Sequence, residues 1–476
     1  MDAIRTQIPA RLDRLPWTRF HLFVILALGI TWILDGLEVT IVGAMGGVLQ
    51  HGDTLALSAA QIGDIGALYI AGAVIGALFF GYLTDRQGRR LIFFLTLAVY
   101  LAGVVVSSVA QGFWSLAVGR LLIGLGIGGE YAAVNSAIDE LIPARLRGRI
   151  ALLVNGSFWI GAAVGASLTT ILLDPAIVPV DLGWRIGFGL GALIAVVVLF
   201  LRGFVPESPR WQATHGYVEA AESTMRRIEA TVSAEAQAHL PPPGSAITIH
   251  PQRTFGFARI LKAMLSTHRR QAVLCLTLMG TQAFLYNALF FTYALILIHF
   301  FGVDASRAGL YLLPFALGNF LGPVLLGPLF DTIGRRLMIT STYALSGILL
   351  ALTAWMFVNG LLTATTQTVC WSIIFFFASA AASSAYLTVS EIFPLEVRAL
   401  AISLFYAIGT AVGGVLGPLI FGRLVDTGSI WALFGGFIAA AVLMLVAALV
   451  ELMIGVDAEG KSLEDIATPL SASASS

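Results

Sequence analysis

Twelve stretches of about twenty predominantly apolar residues recur along this chain, and that repetition restricts the fold before any motif is read. Each is long enough to cross a hydrocarbon core of about 30 Å as a helix, one of the two structures that satisfy every backbone group inside a bilayer. They centre on residues 21–49, 61–83, 91–110, 113–138, 149–172, 184–204, 271–299, 307–329, 337–357, 365–388, 399–421 and 430–454. With 58% hydrophobic and 11% charged residues over 476 positions, the chain reads as an all-α integral membrane protein embedded in a lipid bilayer. Of its 27 Lys and Arg, all but Arg120, Arg185, Arg307 and Arg423 fall on one side if both termini and the even-numbered loops share that side. The positive-inside rule then predicts a multi-pass protein of the cytoplasmic (inner or plasma) membrane with both termini cytoplasmic. The first stretch is too long for a signal-peptide core and carries carboxylates, so it is expected to stay as a helix.

Composition also narrows function. Cys275 and Cys370 sit in apolar stretches without metal-ligand spacing and read as packing residues. No metal or nucleophile–base cluster is visible. The expectation is a protein that is not an enzyme, with no cofactor, no metal and no nucleic-acid partner, working as a monomer on a small-molecule substrate. Any energy it uses would come from a gradient.

The chain repeats itself. Gly81-Tyr-Leu-Thr-Asp85-Arg-Gln-Gly88-Arg89-Arg90 follows the second stretch, and Gly327-Pro-Leu-Phe-Asp331-Thr-Ile-Gly334-Arg335-Arg336 follows the eighth. Glu140-Leu-Ile-Pro143-Ala-Arg-Leu-Arg147 after the fourth is matched by Glu391-Ile-Phe-Pro394-Leu-Glu-Val-Arg398 after the tenth. A six-helix unit has been duplicated in parallel, a plan that places a binding site between two halves. The spacing predicts an N-terminal half over 1–204, a cytoplasmic linker with short helices over 205–268, a C-terminal half over 269–456 and a cytoplasmic tail over 457–476.

These paired motifs resemble the major facilitator superfamily over nearly the whole chain, which implies its fold of twelve transmembrane helices in two six-helix halves. Further pieces are similar to its sugar porter branch: Arg120-Leu-Leu-Ile-Gly124-Leu-Gly126-Ile-Gly128-Gly129-Glu130, Pro206-Glu207-Ser208-Pro209-Arg210-Trp211, and Glu459-Gly460-Lys461-Ser462-Leu463-Glu464-Asp465. Gln282 and Asn287 are spaced like the glutamine and asparagine with which sugar porters hold hydroxyls. Other positions depart: Ala162 follows Gly161 where a glutamine is usual, Thr281 replaces a glutamine, and Tyr386 replaces a tryptophan. Asp35-Gly36-Leu37-Glu38 with Gly43 resembles instead the Asp-Gly-aromatic-Asp element of aromatic acid and metabolite:proton symporters.

That acidic pair is the costliest feature to bury. A charge at mid-bilayer costs at least about 2.5–3.5 kcal/mol, so it persists where it meets a cavity, a partner or a proton. The i,i+3 spacing sets Asp35 and Glu38 on one helix face, and counting about 1.5 Å per residue puts Arg120 at a similar depth. Asp35, Glu38 and Arg120 are therefore the proton-coupling candidates, with a proton arriving from outside to release Arg120. The resemblance to proton-coupled sugar porters implies the same roles for Glu38 and Arg120. Asn155, Gln282, Tyr286, Asn287 and Tyr386 are the substrate-binding candidates, being polar groups at bilayer depth. Tyr69 and Asn319 are further polar candidates, and Trp159 and Trp371 could stack on a ring. Asp85, Arg89, Glu140, Arg147, Glu207, Arg210, Asp331, Arg335, Glu391 and Arg398 lie at cytoplasmic helix ends and are read as gating latches.

The expected function is secondary active transport, with proton symport of a small organic metabolite, an organic or aromatic acid in preference. A sugar or polyol:proton symporter is the alternative, followed by a facilitator or exporter and by a transporter-like nutrient sensor.

Overall fold

The computed structural model describes residues 4–249, 268–303 and 309–468; Arg307, part of the linker and the end of the tail lie outside the described residues. Among those described, twelve helices are long and apolar enough to cross a membrane. In chain order they are α1 (Arg19–Leu49), α2 (Ala59–Gln87), α3 (Arg89–Ser108), α4 (Phe113–Leu141), α5 (Arg147–Gly156 continuing as Phe158–Leu172), α6 (Val180–Arg202), α7 (Arg269–Phe301), α8 (Leu312–Thr332), α9 (Arg335–Val358), α10 (Ala364–Ile392), α11 (Arg398–Asp426) and α12 (Ile430–Ile454). Side-chain caps start several of them: Ser58, Thr363 and Ser429 accept from the amides of Gln61, Thr366 and Ala432. Gly88 and Gly334, at φ 96° and 120°, make the tight joints between α2 and α3 and between α8 and α9.

The same packing recurs in both halves. In the first, α1 lies on α5, α2 on α4, and α3 on α4 and α6; in the second, α7 lies on α11, α8 on α10, and α9 on α10 and α12. Gly161 is pressed against the Ile33 carbonyl of α1, and Gly409, Gly413 and Gly417 of α11 lie against α7. These small-x-x-x-small faces are closely packed crossings. Between halves, α2 meets α11 and α8 meets α5.

The N-terminal segment, the interhelical linker and the tail gather at one end of the bundle, here termed the linker face. Helices Ile8–Asp13, Pro209–Thr214, Val218–Glu229 and Ala234–Ala238 lie there, with β1 (Ile4–Thr6) antiparallel to β2 (Ile247–Ile249) in the register Arg5 to Thr248. Arg11 holds Glu222 at 2.7 Å and Glu229 at 2.6 Å. The charged linker helix buries Ala221, Met225 and Ile228. Its apolar stripe turns inward and its acids meet the N-terminal arginines.

Candidate functional site

Helices α1, α2, α3 and α4 converge on the acidic pair. Asp35, Glu38 and Arg120 are each 3% exposed. Arg120 Nη1 donates to Glu38 Oε1 at 2.6 Å, and the Tyr100 hydroxyl of α3 donates to Glu38 Oε2 at 2.8 Å. The guanidinium lies over the Tyr69 ring, 4.5 Å from its centroid. The Tyr69 hydroxyl donates to Asp35 Oδ1 at 3.3 Å, while the Tyr131 hydroxyl donates to Asp35 Oδ2. Among the described residues, Glu38 therefore has a cationic partner and Asp35 has only phenols. An ion pair this deep repays its desolvation only through good geometry and further hydrogen bonds, which Tyr100 supplies.

Two buried partners were not assigned from the sequence. Glu130 of α4 receives two hydrogen bonds from Arg202 of α6, at 2.8 and 3.3 Å, and Arg202 also reaches the Thr31 hydroxyl and the Phe93 carbonyl. A small cavity lies between Glu130 and Asp35, lined by Thr31, Trp32, Ile127, Tyr131 and Val134 as well. The signal for Glu130 was its charge within an apolar stretch, the same signal that singles out Arg120. Tyr100 and Tyr131 carried none.

The predicted substrate residues face the middle of the bundle from both halves. Gln282, Tyr286 and Asn287 are half-buried on α7. Tyr286 donates to Asn319 Oδ1 at 2.7 Å and its ring stands edge-on to Phe375. Asn287 Nδ2 donates to its own helix at Ala283 O, and Gln282 lies beside the Tyr386 hydroxyl. Asn155 Nδ2 donates to Asn135 Oδ1 at 3.1 Å, leaving Asn155 Oδ1 buried without a partner. Trp159 bridges the halves, with ring centroids 5.9 Å from Tyr286 and 5.4 Å from Phe315. A second small cavity lies between Trp159, Thr40 and Ala162 of one half and Leu312, Phe315 and Ala316 of the other. Trp371 packs against Tyr293 and Phe437, on the C-terminal half's own interior.

At the linker face the ten predicted latch residues form two equivalent clusters and their extensions. Asp85 accepts from the amides of Ala399 (3.2 Å) and Leu400 (2.8 Å) at the start of α11. Asp331 accepts from Gly148 (3.0 Å) and Arg149 (2.9 Å) at the start of α5. Each aspartate thus places a negative charge on a helix N-terminus of the opposite half, where exposed amides and the helix dipole favour it. Arg89 pairs with Asp85 and Glu140 as Arg335 pairs with Asp331 and Glu391. Arg398 faces Glu140 and Arg147 faces Glu391, both at 3.6 Å, each across the boundary between halves.

Glu207 accepts from the first two amides of α3, Arg89 and Arg90, and Glu459 accepts from the Arg335 amide that begins α9. A side chain at Gly88 would strike Glu207 Oε2 at 2.3 Å, so this cap requires glycine there. Burial pushes the Glu207 carboxyl up, against the pull of Arg89. Arg210 joins Asp13 of the N-terminal segment at 2.9 Å to Glu464 of the tail.

The model of the family described as "Sugar (and other) transporter" matches residues 39–470. A niacin transporter of Acinetobacter baylyi is 26% identical over 461 residues, covering 96% of this chain and 99% of that one. A myo-inositol transporter of Schizosaccharomyces pombe is 29% identical over 429 residues, covering 86% and 75%. A solved proton:xylose symporter bound to 6-bromo-6-deoxy-D-glucose superposes with a TM-score of 0.75 at 20% identity, covering 94% of this chain and 98% of that one. It shares the major facilitator fold of twelve helices.

Proposed function

We propose that this chain, which belongs to the sugar (and other) transporter family and is therefore a multi-pass transporter of small molecules rather than an enzyme, carries a small organic metabolite together with protons. The observation that carries the reading is the buried Glu38–Arg120 pair beside Asp35. Protonating Glu38 would cancel its attraction for Arg120, so binding a proton and rearranging α1 against α4 become one event. Because two acids this close titrate as a unit, Asp35 and Glu38 together are the coupling site. The similarity to a niacin transporter and to the fold of a proton:xylose symporter agrees with this reading.

Trp32, Trp159, Tyr286 and Tyr386 offer aromatic faces at the middle of the bundle, suited to a flat ring, and we assign an aromatic or other organic acid as the substrate class. A polyol is the second reading, favoured by the Gln282, Asn287 and Asn155 amides and by the similarity to a myo-inositol transporter. The linker face is assigned to the cytoplasm, consistent with the distribution of Lys and Arg. Its ion-pair clusters close that side while the site is loaded from the other, and rocking of the halves exposes the site alternately.

Proteoliposomes under an imposed pH gradient test the coupling. One pH unit is worth about 1.4 kcal/mol per proton and supports about tenfold accumulation at one proton per substrate. Uptake of labelled nicotinate and of labelled myo-inositol identifies the class. Glu38→Gln and Asp35→Asn are expected to abolish accumulation while leaving exchange; pH-driven accumulation surviving in both would refute proton coupling at this pair.

A further inference from the structure

We propose that Tyr131 is the positioning residue that reports the charge of Asp35 to the opposite half of the molecule, an inference that rests on the proton-coupled reading above. Its two ends lie in two different environments. The hydroxyl donates to Asp35 Oδ2, within the N-terminal half. The ring is embedded in the boundary between halves: 4.6 Å from the Tyr406 ring of α11, stacked at 21° and 6.1 Å on Tyr386 of α10, and 4.5 Å from Trp32 of its own half. Trp32 also meets Tyr386 directly at 5.8 Å. Among the described residues the other donor to Asp35 is Tyr69, whose ring lies beneath the Arg120 guanidinium.

The place of this cluster along the helices gives it a direction. Tyr131 is about 15 Å from the linker-face end of α4, and Tyr406 and Tyr386 are about 12 and 9 Å from the corresponding ends of α11 and α10. The aromatic layer therefore lies between the midplane and the linker face, where it bars passage to that side. A hydrogen bond to an ionised carboxylate is about twice as strong as one between neutral groups. Ionised Asp35 holds the Tyr131 hydroxyl and, through it, the ring in the stack. A proton on Asp35 weakens that hold and lets the ring leave Tyr386 and Tyr406, so the layer opens toward the linker face after the proton has arrived. The other groups facing this unit are Glu38 with Arg120, Glu130 with Arg202, Tyr69, and Gln282 beside Tyr386. The two ion pairs flank Asp35 without offering it a cation, which leaves its charge to the tyrosines.

The test reads the separation of the halves rather than transport, so it needs no substrate. The full chain, with Cys370→Ser, carries spin labels at Gln87→Cys and Ile333→Cys, both exposed at the linker face. Distances in lipid nanodiscs are measured from about pH 5 to 9, across the range in which perturbed carboxyls titrate. The wild-type background is expected to populate the open linker face more as pH falls. Asp35→Asn should hold it open at every pH. Tyr131→Phe, which keeps the ring and its volume, should flatten the profile likewise and raise the open fraction at high pH at least about tenfold, the factor lost with one hydrogen bond to a charged group. Tyr69→Phe should move the midpoint without flattening the profile. If Tyr131→Phe keeps the wild-type profile while Asp35→Asn flattens it, the role of Tyr131 is overturned and proton coupling stands. If the wild-type profile is already flat, so that Asp35→Asn changes nothing, both fail.

Discussion

Arg120 is bound to one acid and placed over one ring, and its Nε has no partner. Removing its charge leaves Glu38 buried with Tyr100 alone, so Arg120→Met is expected to destabilise the protein by about 3–5 kcal/mol, the cost of breaking a buried pair from one side. Neutralising both members is different. Glu38→Gln combined with Arg120→Met leaves no uncompensated charge and should recover most of the loss, measured as the unfolding midpoint in detergent. A double variant no more stable than Arg120→Met alone would mean that the pair is not what the arginine serves. The two acids and the arginine were legible in the sequence because a charge inside an apolar stretch has no cheap alternative explanation. Tyr100 and Tyr131 were not, since tyrosine is at home in any interior and its hydroxyl finds its acceptor only once α3 and α4 are packed on α1. Asn155 illustrates the same limit: its polarity was visible, but its bond to Asn135 depends on how α5 meets α4.

At the level of helices, the crossing of α1 over α5 is fixed by two glycines facing each other's backbone. A Cβ at Gly161 would lie 1.8 Å from the Ile33 carbonyl oxygen, and one at Gly36 would lie 1.9 Å from that of Phe158. Neither neighbour is a flexible side chain that could turn away. Gly161→Ala is therefore expected to abolish the folded, monodisperse protein in size-exclusion profiles. Gly189→Ala in α6, where nothing lies within 4 Å, should be tolerated and gain up to about 1 kcal/mol of helix propensity. Equal yields from the two variants would show that the α1–α5 contact has room for a side chain at residue 161. Hydropathy located the twelve helices but not their ends. It stopped α11 near residue 421, whereas the helix runs on through Arg423 to Asp426, because apolar length records the lipid-facing part while capping and backbone bonding decide where the helix stops. The break in α5 was also hidden: Ser157 Oγ turns to the Gly29 carbonyl of α1 at 3.1 Å, a tertiary contact that interrupts a continuous apolar stretch.

Across the whole molecule, the linker face joins four separate segments of chain, and its ion pairs are the contacts that respond to acid. Asp85→Asn and Asp331→Asn each remove a full charge from the helix N-terminus of the other half, an interaction worth about 0.3–2 kcal/mol, so each should raise the open fraction of that face severalfold in the spin-label measurement. The N-terminal segment adds a strap. Asp13 accepts from the Ala144 amide and pairs with Arg210, while Arg11 grips Glu229. Hydrogen bonding from Arg11 holds the Glu229 carboxyl below its ordinary value. Burial would push Glu464 up, but Arg210 and the Ser462 hydroxyl outweigh it and hold it low as well. A depressed carboxyl stabilises the folded form fully above its unfolded value, about pH 4.3 for glutamate, and loses that contribution as pH falls through the lower folded value. The strap should therefore stay closed at neutral pH and loosen only below about pH 4. Leu12 and Leu15, 2% and 0% exposed beneath it, then become accessible, and pepsin cleavage there should accelerate over that window. Arg11→Gln removes the grip on Glu229 and should make cleavage fast already at about pH 5, where unpaired glutamates are mostly ionised. A cleavage rate identical in Arg11→Gln and the unsubstituted chain would show that the buried leucines, not the ion pairs, hold the strap.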